Sequence, residues 1–115
     1  MHVDYRNLSS LGILELAREV DAITKEQEEG VLFIVNVTDV TFSTQLFLQL
    51  MSEKVGKSFS DKHKFAVFIG MNGRKKILLK MFSNMFYVNA FYKNSDKEAL
   101  DFVREMIYTE LALRV

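Results

Sequence analysis

Two segments, Val31-Leu32-Phe33-Ile34-Val35-Asn36-Val37 and Phe65-Ala66-Val67-Phe68-Ile69, are short, almost continuously apolar and rich in β-branched and aromatic residues. Runs of this kind predict strands, and the missing polar alternation predicts that helices cover both faces of their sheet, or nearly so. A third run, Tyr87-Val88-Asn89-Ala90-Phe91-Tyr92, is shorter and more polar and suits a strand nearer the edge. A short strand around Val3 to Arg6 completes the set.

Between these runs the apolar period becomes helical. Ile13, Leu16, Ala17, Val20 and Ile23 recur at three- and four-residue steps, with Glu15, Arg18, Glu19 and Asp21 between them, in a helix that ends before Gly30. A second helix is predicted from about Ser43 to Val55, with Phe47, Leu50 and Met51 turned inward and Ser43 placed to cap its first turn. A third starts near Asn72-Gly73 and carries Ile77, Leu78, Met81, Phe82 and Met85. The last opens on Ser95-Asp96-Lys97-Glu98, a capping box in which the serine reaches forward and the glutamate back, and continues through Leu100, Val103, Met106, Ile107 and Leu111. Strands and helices in this alternation predict right-handed crossovers and an α/β fold, with a mostly parallel four-stranded sheet packed with about four helices.

At 115 residues the chain suffices for one domain, 1–115, with a single core. It has no apolar run near the roughly 18 residues of a membrane span, and Met1-His2-Val3-Asp4-Tyr5 lacks the charged-then-apolar order of a secretion signal, so a cytoplasmic location is expected. Cysteine is absent, which excludes disulfides, thiolate nucleophiles and cysteine-based metal sites.

In parallel α/β sheets function gathers at the carboxyl ends of strands, where two loops qualify. The first, Asn36 to Thr44, holds Asp39, Ser43 and Thr44 ahead of a helix. A phosphoryl group on a hydroxyl there would sit on a favourable helix amino terminus and form a switch. Equally, Ser43 serves as a helix cap, with Asp39 and Thr38 satisfying turn amides. The second loop, Gly70-Met71-Asn72-Gly73-Arg74-Lys75-Lys76, sets three cations in the first turn of a helix, against its dipole, a conflict that an anion or acidic partner bound at Asn72 to Lys76 would relieve. It lacks the spacing and the lysine–Ser/Thr pair of a P-loop. A solvated basic turn is the simpler alternative.

His2 and His63 belong to no converging ligand set, so no metal and no cofactor is expected, and a triad of Ser43, His63 and Asp39 would lack any supporting turn. The third helix is apolar over more than one stripe, from Ile77 to Phe86, which points to extra cover by a partner or a second copy, or to an adaptable apolar pocket.

The segment from Val31 to Phe42 with the amphipathic helix after it, the strand Phe65 to Gly70, the turn Gly73-Arg74-Lys75-Lys76-Ile77-Leu78-Leu79 and the start Ser95-Asp96-Lys97-Glu98-Ala99-Leu100 together resemble small bacterial STAS-like domains. These domains are related to anti-sigma-factor antagonists of SpoIIAA type, and the branch most similar here is the one described as STAS/Sec14-like. The resemblance spans about Asp4 to Val103 and implies an α/β sheet packed against helices in a binding or regulatory module. Family antagonists carry a phosphorylatable serine, typically after an aspartate, at the amino end of the helix following a central strand. Ser43 and Thr44 occupy that place here, without the aspartate before them.

The expected function is therefore non-enzymatic: a regulatory or protein-interaction module engaging a protein partner or itself through the strand-end loops. The alternative is a carrier or sensor of a small apolar or anionic ligand. A pI near 6.7 and the lack of a stacking motif argue against nucleic acid. The net charge of zero is a cancellation, since residues 1–56 carry −5, residues 57–93 carry +7 and the remainder −2. Basic and acidic regions are thus expected on opposite parts of the surface.

Overall fold

The computed structural model describes residues 1–113. The elements, in order, are β1 (His2–Asp4), α1 (Ser10–Lys25), β2 (Val31–Asn36), α2 (Thr44–Ser52), α3 (Lys57–Lys62), β3 (His63–Ile69), α4 (Gly73–Ser83), β4 (Ala90–Lys93) and α5 (Asp96–Leu113). All neighbouring strands pair in parallel, in the spatial order β1-β2-β3-β4. The expected mostly parallel sheet is thus wholly parallel.

Sequential strand order has a geometric consequence. Right-handed crossovers that always step the same way leave their helices on the same face of the sheet. On that face Val3, Phe33, Val35, Ala66 and Phe68 pack with Ile13 and Leu14 of α1, Leu46 of α2, Phe59 of α3 and Leu79 of α4. The opposite face, with Phe65, Val67 and Ile69, is covered by α5 through Ala99, Phe102 and Val103. Both faces of β3 are therefore buried, which is why its sequence does not alternate. The more polar β4 lies at the edge, as expected, but starts at Ala90 rather than Tyr87.

The segment expected as one helix from Ser43 to Val55 ends instead at Ser52, and α3 follows as a separate helix. Lys54 adopts φ 54°, its N–H donates to the Met51 carbonyl, and the Val55 N–H donates to Leu50. This is a Schellman ending, with lysine where glycine is usual, so no glycine marked the stop. The inward stripe of α1 also differs from expectation. Ile23 is 46% exposed, while Thr24 is buried and donates its hydroxyl to the Val20 carbonyl at 2.6 Å. Ahead of α5, Ser95 Oγ accepts from the Glu98 N–H at 3.2 Å, but the glutamate reaches back one residue further, to the Asn94 N–H.

Candidate functional site

The two strand-end loops meet. Asn36 is buried at the end of β2, and its Oδ1 accepts from the Thr38 N–H at 3.0 Å, starting a turn closed by the Val40 N–H on the Val37 carbonyl. Asp39 takes φ 57° in that turn, a conformation aspartate tolerates better than most residues. Gly70 follows β3 with φ 80° and lies against Thr38. A Cβ at Gly70 would stand 2.5 Å from Thr38 Cα and 2.7 Å from its N, so only glycine lets the loops approach this closely.

The eight positions singled out in the sequence take different parts. Ser43 is exposed and caps α2, accepting from the Leu46 N–H at 3.1 Å, while Thr44, the first residue of α2, is exposed. Asp39 is exposed on the turn. Asn72 caps α4, its Oδ1 accepting from the Lys75 N–H at 3.0 Å, and Gly73 begins the helix with open space beside it. The three cations diverge. Arg74 is exposed, and Lys76 lies over the Tyr92 ring at 4.8 Å. Lys75 turns inward, is only 7% exposed, and donates Nζ–H bonds to the carbonyls of Val37 and, at 3.0 Å, Gly70. Burial lowers the Lys75 pKa from its ordinary value, and the nearby Asp39 charge opposes that shift.

Lys75 thus lines a pocket that is partly open at the surface. Between the sheet and helices α1 to α4 lies an apolar cavity of about 210 Å³, walled by Phe33, Val35 and Phe68 from the sheet and by Ala17, Leu50, Phe59, Leu79 and Phe82 from the helices. Polar groups are few: Tyr5, Asp21, Thr24 and Lys75. Burial pushes the Tyr5 phenol up to about 12, so it stays a neutral phenol well above neutral pH. Asp21 Oδ1 is buried and, among the described residues, has no hydrogen-bond partner. The sequence reading set Asp21 on the outer side of its helix and gave no role to Tyr5. The available signal was the spacing of Ala17, Asp21 and Thr24, which places polar side chains on the inward stripe itself.

The other histidine feature is structural. His63 is buried, its Nε2 accepts from the Asn89 N–H at 2.9 Å, and Nδ1 therefore carries the hydrogen facing the Phe59 carbonyl at the same distance. It joins the end of α3 to the chain entering β4.

Comparison with family models, with characterised proteins and with solved structures returns no match. Among the described residues no helix is long and apolar enough to cross a membrane.

Proposed function

We propose that this chain is a non-enzymatic binding module of STAS-like type that senses or carries a small apolar molecule in the cavity between sheet and helices. The cavity itself carries the reading. At about 210 Å³ it exceeds the roughly 150 Å³ of apolar space that suffices for benzene, and its walls are almost wholly apolar. Its roof is formed by the strand-end loops, where bound ligand would be felt by Lys75, the Gly70 turn and the exposed residues Asp39, Ser43 and Thr44. Titration with toluene, followed by thermal stability and methyl chemical shifts, tests this. The expected result is a rise in Tm with shifts confined to cavity residues, abolished in Val20→Phe, which fills the space. A flat titration with no shifts overturns the reading.

A second reading, a protein-interaction module that pairs with a partner or with itself, is supported by the outer side of α4. Leu78, Leu79 and Phe82 line the cavity, which leaves Ile77 62% and Met81 49% exposed on the helix and Met85 57% exposed just beyond its end, beside the basic residues Arg74 and Lys80. Its test is mass by light scattering across concentration, with Ile77→Lys/Met81→Lys as the control. A chain monomeric at all concentrations removes self-pairing.

A further inference from the structure

The cavity's polar groups restrict what it can hold. Lys75 follows the carboxyl end of β3, whereas Asp21 lies eleven residues into α1, a helix that starts after the carboxyl end of β1 and runs back toward the amino ends of the strands. One cation and one carboxyl group therefore mark opposite ends of a mostly apolar space, in which Tyr5 and Thr24 are the other polar side chains. Their hydrogen-bonding states differ. Lys75 Nζ already donates to two backbone carbonyls, whereas Asp21 Oδ1 is a buried acceptor with no donor. A buried acceptor left unpaired is destabilising, and a bound group that donates to it recovers that loss. An anionic ligand would meet the Asp21 charge with most of the lysine's donors spent. An ammonium would have to shed its water against walls that are almost wholly apolar, a cost that a neutral hydroxyl largely escapes.

We propose that the ligand is a neutral molecule of roughly ten non-hydrogen atoms, apolar over most of its surface and carrying a hydroxyl, which donates to Asp21 Oδ1. This rests on the apolar-ligand reading above and adds the head group and the residue that selects it. Phenols and short aliphatic alcohols have this chemistry. Asp21 is then a specificity residue, whose unpaired Oδ1 is the complement of the ligand's hydroxyl.

The test compares p-cresol with toluene, which differ only in the hydroxyl, and adds benzoate and benzylamine as charged counterparts, all titrated calorimetrically into the wild-type chain. The wild type is expected to bind p-cresol roughly tenfold more tightly than toluene, and to bind both charged probes more weakly than p-cresol. In Asp21→Ala the p-cresol preference disappears while toluene still binds, and Asp21→Asn, which keeps an acceptor oxygen without the charge, falls between the two. Toluene and p-cresol binding equally to wild type, a preference that survives Asp21→Ala and Asp21→Asn, or tighter binding of either charged probe would overturn the assignment while leaving the apolar-ligand reading intact. Absence of binding by both neutral probes would instead remove that reading, and this inference with it.

Discussion

The side-chain ammonium of Lys75 donates to the backbone carbonyl of Val37, 38 residues away in sequence, and so fastens the loop after β3 to the loop after β2. With its second bond to Gly70 it makes one roof from two turns that the sequence offers separately. A lysine that reads as surface charge in a basic run is in fact buried at the edge of an apolar pocket and bonded to two loop carbonyls.

Replacing Lys75 by methionine should cost about 1–3 kcal/mol, because the Gly70 and Val37 carbonyls lose their buried donor while the aliphatic packing is kept. Arg74→Ala, one residue away and exposed, should change stability by less than about 0.5 kcal/mol. Urea unfolding of both variants checks the contrast. The pH dependence separates them further. Since burial lowers the Lys75 pKa below its ordinary 10.5, the unfolded chain binds the proton more tightly than the folded one. Wild-type stability therefore gains from this group as pH rises through that interval, and Lys75→Met lacks the gain.

Gly70→Ala should be among the most damaging changes in the chain, at roughly 2–4 kcal/mol. It combines a left-handed backbone with a Cβ driven into the main chain of Thr38, which cannot yield as a side-chain tip would. Gly73→Ala is the counterpart. Nothing lies within reach of its Cβ, the residue sits in the first turn of α4, and alanine should be neutral or raise stability by up to about 1 kcal/mol. Thermal unfolding of the two variants should therefore move in opposite directions or leave Gly73→Ala unchanged.

The parts of the fold that follow from local pattern were legible. Continuous apolar runs marked β2 and β3 because both faces of β3 are buried and Leu32 and Ile34 of β2 pack against the second cluster while partly buried, and the polar mixture in β4 marked an edge. What escaped depends on contacts distant in sequence. The stop after Ser52 uses lysine in a turn conformation that normally advertises itself by glycine. The inward direction of Lys75 is set by the Val37 carbonyl on another loop together with that of Gly70, and the seclusion of Asp21 Oδ1 by the tertiary packing of α1 against α2 and α3. The two loops were marked from their place at the strand ends alone, and their meeting through Lys75 was not, whereas the cavity below them was visible only as a surplus of apolar residues in the helix from Ile77 to Phe86.

Tyr5 makes a prediction at alkaline pH. Burial raises its pKa from 10.0 to about 12, so the folded chain keeps the phenolic proton that the unfolded chain releases. The stability this represents is fully present below the unfolded value and is lost as pH climbs from about 10 to about 12. Near pH 11 the loss should amount to about 1 kcal/mol. Tyr5→Phe has no proton to lose. The difference in unfolding free energy between wild type and variant should therefore shift in the variant's favour between about pH 9 and about pH 11. A constant difference across that range would place Tyr5 in contact with water.

Gly56 and Phe82 offer a direct measure of how firmly α4 is held over the cavity. A Cβ at Gly56 would stand 2.0 Å from Phe82 Cζ, so the ring rests directly on the glycine backbone at the junction of α2 and α3. The backbone at Gly56 is in the ordinary right-handed region, with φ −85°, which makes the ring contact, not backbone strain, the reason for glycine. Gly56→Ala should then cost about 1–3 kcal/mol by forcing the ring away, and Phe82→Ala about 2–4 kcal/mol by opening further empty space in the chamber. The two losses should not add. Once the ring is gone, the alanine methyl occupies space that Phe82 vacated, and the double variant should be at least about 1 kcal/mol more stable than the sum of the single effects. A double-mutant cycle by urea unfolding measures this coupling. Strict additivity would mean that Phe82 does not rest on Gly56 in solution, and the outer wall of the cavity would then have to be drawn elsewhere.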